Sequence, residues 1–237
     1  MKYKLTTETI NVFGITLFRI EALVSFGDIS KGYKGGFIEK ESNLSQVYGD
    51  AWVCGNAQVS GDAQVSGNAQ VYGDAQVSGD AQVYGDAQVS GNAWVSGDAQ
   101  VSGNAQVYGD AWVSGNAQVY GDAWVYGNAQ VSGDAQVSGN AWVSGNAQVY
   151  GDAWVSGNAQ VSGNAILKLK GHNNCKTYLT IGPIGLDRFI TIEKEHKIIN
   201  AGCFSGTVKE FEKAVKGKYG DESDYYPVIK FIKTILK

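Results

Sequence analysis

Residues 95–113 read VSGDAQVSGNAQVYGDAWV, three passes through the unit V-[SY]-G-[ND]-A-[QW]. The unit recurs without insertion: a valine stands at every sixth position from Val47 to Val161, twenty in all. The residue after each valine is Ser, Tyr or, once, Cys54; glycine and alanine keep their places throughout. A period this strict decides the fold before any local propensity is consulted.

Each triplet centred on valine, such as Gln58-Val59-Ser60 or Trp112-Val113-Ser114, has the alternation of a short strand, valine inward and its neighbours outward. Gly-Asn and Gly-Asp tolerate left-handed backbone angles, so a bend follows every strand. Alanine suits the tight inner corner. Three-residue strands cannot stand alone, and stacked coils let each one hydrogen-bond to the copies on either side. The expected fold is mainly β, a parallel β-helix.

The repeated V-S-G-N-A-Q resembles the hexapeptide-repeat family, an aliphatic residue followed four positions later by a small one. That resemblance implies a triangular left-handed parallel β-helix with three hexads, 18 residues, per coil. Handedness comes from the resemblance alone, because parallel crossovers are usually right-handed. Residues 47–164 then make about 6.6 coils, a shaft roughly 31 Å long. The expected organisation is an N-terminal β cap over 1–46, the repeat over 47–165, and a small α+β domain over 166–237.

Stacking residues 18 apart resolves three faces. Val47 and Val65 to Val155 line the first, Val53 to Val161 the second, and Val59 to Val149 the third. Each buried valine is worth about 1.5 to 3 kcal/mol before entropy is subtracted. The first two corners mostly alternate Asp with Asn, as in Asp86, Asn104, Asp122. At the third corner Asp62, Asp80 and Asp98 are consecutive, which should raise a pKa or draw a cation. A solvated corner is the plain reading, and a weak Ca²⁺ site the other; no metal is assigned.

Large aromatics concentrate in mid-shaft. Trp94 and Trp112 are vertical neighbours on the third face, Trp124 and Trp142 on the second, with Tyr108 and Tyr126 stacked beside them. Aromatics suit exposed β surface and support one another in ladders. Clustered and exposed, they also make an interface, so these six are the candidate binding residues. The ladder Ser60, Ser78, Ser96, Ser114, Ser132 reads as wet surface.

The net charge of -4 hides three regions. Residues 47–165 carry ten Asp and no Lys, Arg or Glu, against +1 before them and +5 after. An acidic shaft disfavours direct nucleic-acid binding. Mimicry of DNA also falls short, since a 31 Å duplex carries about 18 charges. Cys54, Cys175 and Cys203 are odd in number and lack metal spacing, which suits a reduced, cytoplasmic protein. No apolar run is long enough to span a bilayer.

An open shaft end exposes strand edges and valine core, so both ends need caps. Alternating Phe18, Ile20, Ala22, Val24 reads as a capping strand, and Gly35 to Gln46 leads into the first hexad. After Ala165, strands turn at Gly182-Pro183-Ile184-Gly185. Thr207 with Glu210 is an N-cap signature for a helix with Val208, Phe211 and Val215 inward and Gly220 at its end. Asp224 opens a second helix with Pro227 in its first turn and Val228, Phe231, Ile232 and Ile235 inward.

The hexapeptide acyltransferases, which the shaft resembles, use a histidine base beside a looped coil. Residues 1–171 hold no histidine and the hexads are unbroken, so no catalytic residue carries over and no cofactor is expected. His172 and His196 read as surface residues. Threonine arrays that would suit ice are missing from the repeat. The entry segment GGFIEKESNLSQ, and TIGPIG with GCFSGTVKEFE, resemble phage and prophage repeat proteins. That resemblance implies a non-catalytic accessory protein acting on a host component, by gripping a protein or, as a homo-oligomer, by sequestering a small nucleotide ligand.

Overall fold

The structure is a computed structural model that describes residues 1–47, 49–163, 166–169, 178–184, 188–193, 197–201, 204–220 and 225–235. Hairpin strands β1 (Tyr3–Val12) and β2 (Ile15–Ala22) pair antiparallel, and β3 (Lys34–Ile38) follows β2. Nineteen strands then run from β4 (Trp52–Val53) to β22 (Gln160–Val161), two residues each except β20 (Gln148–Gly151). They stack into three parallel sheets in which residue n pairs with n+18, for instance Val89 with Val71 and Val107. The molecule is a β-solenoid of about seven turns.

The ladder is narrower than the expected triplet, because the strand is only the pair Gln-Val or Trp-Val. Most hexads still send three amides to the next coil. Gln100 N–H donates to Ala117 O, Ser102 N–H to Val119 O, and Asn104 N–H to Gly121 O, at 2.8 to 2.9 Å. Valines 53 to 161 and the corner alanines form one continuous buried core, as the alternation requires. At the bend glycine alone takes the left-handed angle, near φ +66° at Gly103, while Asn104 does not. Asn104 instead serves the corner through its side chain, donating Nδ2 to Asp122 Oδ1 at 2.8 Å.

Val47 departs from the expected frame: it is 73% exposed. Ile38 and Leu44, six apart, pair with Val59 and Val65, each 21 residues on, and only from Trp52–Val53 does the spacing settle to 18. Three extra residues between Leu44 and Val53 throw Val47 out. Leu44 fills its place inside.

The N-terminal end is plugged by Tyr3, Trp52 and Leu44, with Phe26 edge-on to Trp52. Buried Asn43 donates Nδ2 to Gly61 O and Ala63 O, satisfying carbonyls that the first coil would leave open. Lys2 does likewise for Gly49 O and Ala51 O, and burial lowers its pKa. Strand β2 stops at Ala22, and Val24, expected within it, is exposed.

Beyond the repeat, β23 (Ile166–Leu169) pairs in parallel with β20. Strands β24 (Tyr178–Ile184), β25 (Arg188–Glu193), β26 (Ile198–Ala201) and β27 (Phe204–Thr207) form an antiparallel sheet, followed by α1 (Val208–Tyr219) and α2 (Tyr225–Ile235). Gly182-Pro183-Ile184, expected to turn, lies within β24 at a register shift, with Ile184 paired to Arg188; Gly185 lies outside the described residues. The capping box of Thr207 and Glu210 is present, and Phe211 and Val215 pack on Ile190, Ile192 and Ile199. In α2, Ile229 and Ile232 join that core. Asp224 and the side chains of Phe231 and Ile235 lie outside the described residues. Among the described residues no helix is long and apolar enough to cross a membrane.

Candidate binding surface

Stacked coils hold like residues one strand spacing apart, so aromatics 18 apart are forced face to face. Trp94 and Trp112 stack at 5.1 Å with planes 7° apart. On the adjoining sheet Trp124 and Trp142 stack at 5.3 Å, and Tyr108 and Tyr126 at 5.0 Å. The two ladders meet edge to face, Tyr108 against Trp124 at 6.2 Å and Tyr126 against Trp142 at 6.5 Å. The structure therefore brings four of the six candidates into one herringbone cluster and the other two into a separate pair. Tyr108 and Trp112 stand on either side of the Gly109-Asp110-Ala111 corner, so cluster and pair flank one edge of the shaft.

Trp94, Trp112 and Trp142 stay well exposed, whereas Trp124 is half-buried by its neighbours. Crowding also raises the Tyr108 pKa, through desolvation first and the neighbouring Tyr126 second. A surface of flat, pre-ordered rings loses little side-chain entropy on binding, which suits it to contact. The serine ladder is not uniformly bare, since Trp94 Nε1 donates to Ser78 Oγ at 3.4 Å.

The third corner does not behave as like charges alone would dictate. Lys40 places its ammonium on Asp62, and that hydrogen bond holds the Asp62 carboxyl below the usual carboxylate range. Further along, Asn116 donates Nδ2 to Asp134 Oδ1 at 2.8 Å. Among the described residues no group of three or more His, Cys, Asp or Glu side chains is gathered for a metal ion. Cys54 is half-buried, and burial pushes its thiol pKa up. Cys175, Cys203, His172 and His196 lie outside the described residues.

One set of contributors went unread in the sequence. The tip of the β1–β2 hairpin bends over the outer surface of the third sheet, bringing Val12, Ile15 and Leu17 beside Trp94. Gly14 after alternating strand residues marks the hairpin, but nothing in the sequence says which face it covers.

The model of the YdcK β-solenoid repeat matches eight windows of the chain: residues 63–79, 69–85, 81–97, 87–103, 99–115, 117–133, 135–151 and 147–163. Over these windows the shaft is similar to YdcK-type β-solenoid repeats. Each window spans 17 residues, nearly one coil, in keeping with the 18-residue pairing. Phe37–Ile38 and Leu44, which pair at 21, precede every matched window. No curated protein matches the chain.

Proposed function

We propose that the protein is a non-catalytic binding rod whose aromatic corner, Trp94, Trp112, Tyr108, Trp124, Tyr126 and Trp142, docks a macromolecular partner or a second copy of the chain. The observation that carries this reading is the stacking of all six rings into ladders that remain partly open to water. Every inward position of the shaft is spent on valine and alanine, so variation is confined to outer positions, where it alters recognition without touching the core. Uninterrupted hexads and a histidine-free shaft leave no acyltransferase-like site to argue from. An accessory role against a host component rests on the resemblance of the entry and C-terminal segments to phage repeat proteins.

Native mass spectrometry of the full chain tests the reading, because it reports subunit number and any retained small ligand together. Replacing Trp112 and Trp124 by Ala is expected to abolish partner or self association while leaving the fold intact. Unaltered mass and binding would remove the band from the argument. A multimer that carries a nucleotide would favour sequestration between subunits, and retained acetyl-CoA would revive an enzymatic reading.

A further inference from the structure

Phe13 is the most exposed large apolar side chain among the described residues, at 95%. It sits at the tip of the β1–β2 hairpin, where Val12 pairs with Ile15 and the two central residues, Phe13 (φ 51°) and Gly14 (φ 87°), are both left-handed. Such a turn favours Asn, Asp or Gly at its first central position, because a bulky side chain is crowded there. The ring is thus opposed twice, by its own backbone and by water. A residue that breaks both local rules and stays 95% exposed points to a contact outside the chain.

The same hairpin tip roofs a cleft of roughly 180 Å³ on the third face. Val12, Ile15 and Leu17 line it from the hairpin side, with Phe13 itself at its border, and Gln76, Ser78 and Trp94 line it from the shaft. No charged side chain lines it, so it suits an uncharged, apolar occupant. The Trp94–Trp112 stack continues this apolar surface along the shaft.

We propose that two copies of the chain pair about a two-fold axis, each seating its Phe13 ring in the cleft of the other against Trp94. Projection and cleft lie side by side on one face, so a single rotation fills both, as an isologous contact requires. The ring gains an aromatic wall that it can meet edge to face, and Ile15, Trp94 and Trp112 are covered in the same step. The pairing rests on the reading of the aromatic corner as a docking surface, and names its partner for the third face alone.

Sedimentation equilibrium on the full chain and on Phe13→Asn decides the matter. Asn is preferred at that turn position, so the variant keeps the hairpin and removes only the ring. The wild type is expected to be a dimer and Phe13→Asn to dissociate at least tenfold more readily, with Trp94→Ala losing the dimer from the cleft side. A wild type that stays monomeric at every concentration, including one that captures some other protein through Phe13, would overturn the pairing. So would a dimer kept in Phe13→Asn. If that dimer is then lost in Trp124→Ala with Trp142→Ala, the aromatic corner still docks a second copy and only the Phe13 contact fails.

Discussion

Leu44 forms a parallel bridge with Val65 and is buried in the position that a strict six-residue count assigns to Val47. The two residues should therefore respond oppositely to mutation. Leu44→Ala removes core atoms next to Tyr3 and Asn43 and is expected to cost about 2 to 5 kcal/mol. Val47→Ala, at an exposed site, should change stability by less than about 0.5 kcal/mol. Urea unfolding of both variants separates the frames, and equal losses would restore Val47 to the interior.

The glycine at each bend is held by two independent constraints. Gly103 has φ +66°, and a Cβ built there would lie 2.9 Å from Gly121 N in the next coil. Neither relaxes easily, since the crowding atoms are backbone and Gly121 O, 3.0 Å from the same Cβ, accepts the Asn104 N–H. Gly103→Ala is expected to cost roughly 2 kcal/mol or more, from the left-handed angle and the overpacking together. Ser102→Ala, one residue away and outward, is the control that should leave the melting temperature unmoved.

Repetition explains why the shaft could be read and its ends could not. A valine every six residues admits one geometry in which all are dry, and Val53 to Val161 obey it. The aromatic ladders follow from the same arithmetic, because a residue's vertical neighbour is its own position 18 later. Leu44 was hidden because the frame slips by three residues in a segment with no repeat to count against. The cleft beside Trp94 joins residues some eighty positions apart through the lean of a hairpin, and no local pattern encodes lean. In the C-terminal sheet, Gly182-Pro183 carried a turn signal, yet β24 continues through it with a register shift, tertiary pairing overriding the local preference.

The Lys40–Asp62 contact predicts a defined pH window. Asp62 titrates below its unfolded value because Lys40 hydrogen-bonds its carboxylate, so its stabilising contribution is present above the unfolded value and is lost as pH falls through the folded one. Lys40 is shifted upward, chiefly by Asp62, so its share persists below its unfolded value and is lost as pH rises through the folded one. The pair acts between these limits. Carboxyl NMR titration of Asp62 should show the low value in the wild type and a return to the ordinary range in Lys40→Met. An Asp62 titration unmoved by that substitution would mean the ammonium is not held there in solution.

Tyr3 ties the N-terminal plug to the displaced frame. Its buried hydroxyl is shared between Glu41 O at 2.8 Å and Leu44 O at 2.9 Å, the two carbonyls of the turn that sets Leu44 inside. Burial, with the nearby Glu41 charge, raises the phenol pKa, so the hydroxyl stays protonated and donating through the neutral range. Tyr3→Phe keeps the ring's edge contact with Trp52 but takes the hydroxyl donor from Leu44 O, leaving Glu41 O only the long bond from Leu44 N–H, at about 1 to 3 kcal/mol. Because each coil touches only its neighbours, the loss should stay at that end. Hydrogen exchange should accelerate at Ser45 and Gln64, which lie in or beside the first turn, and remain slow at Gln106 in mid-shaft. Acceleration of equal size at all three amides would show that the solenoid unfolds as one unit and that the plug stabilises the whole shaft.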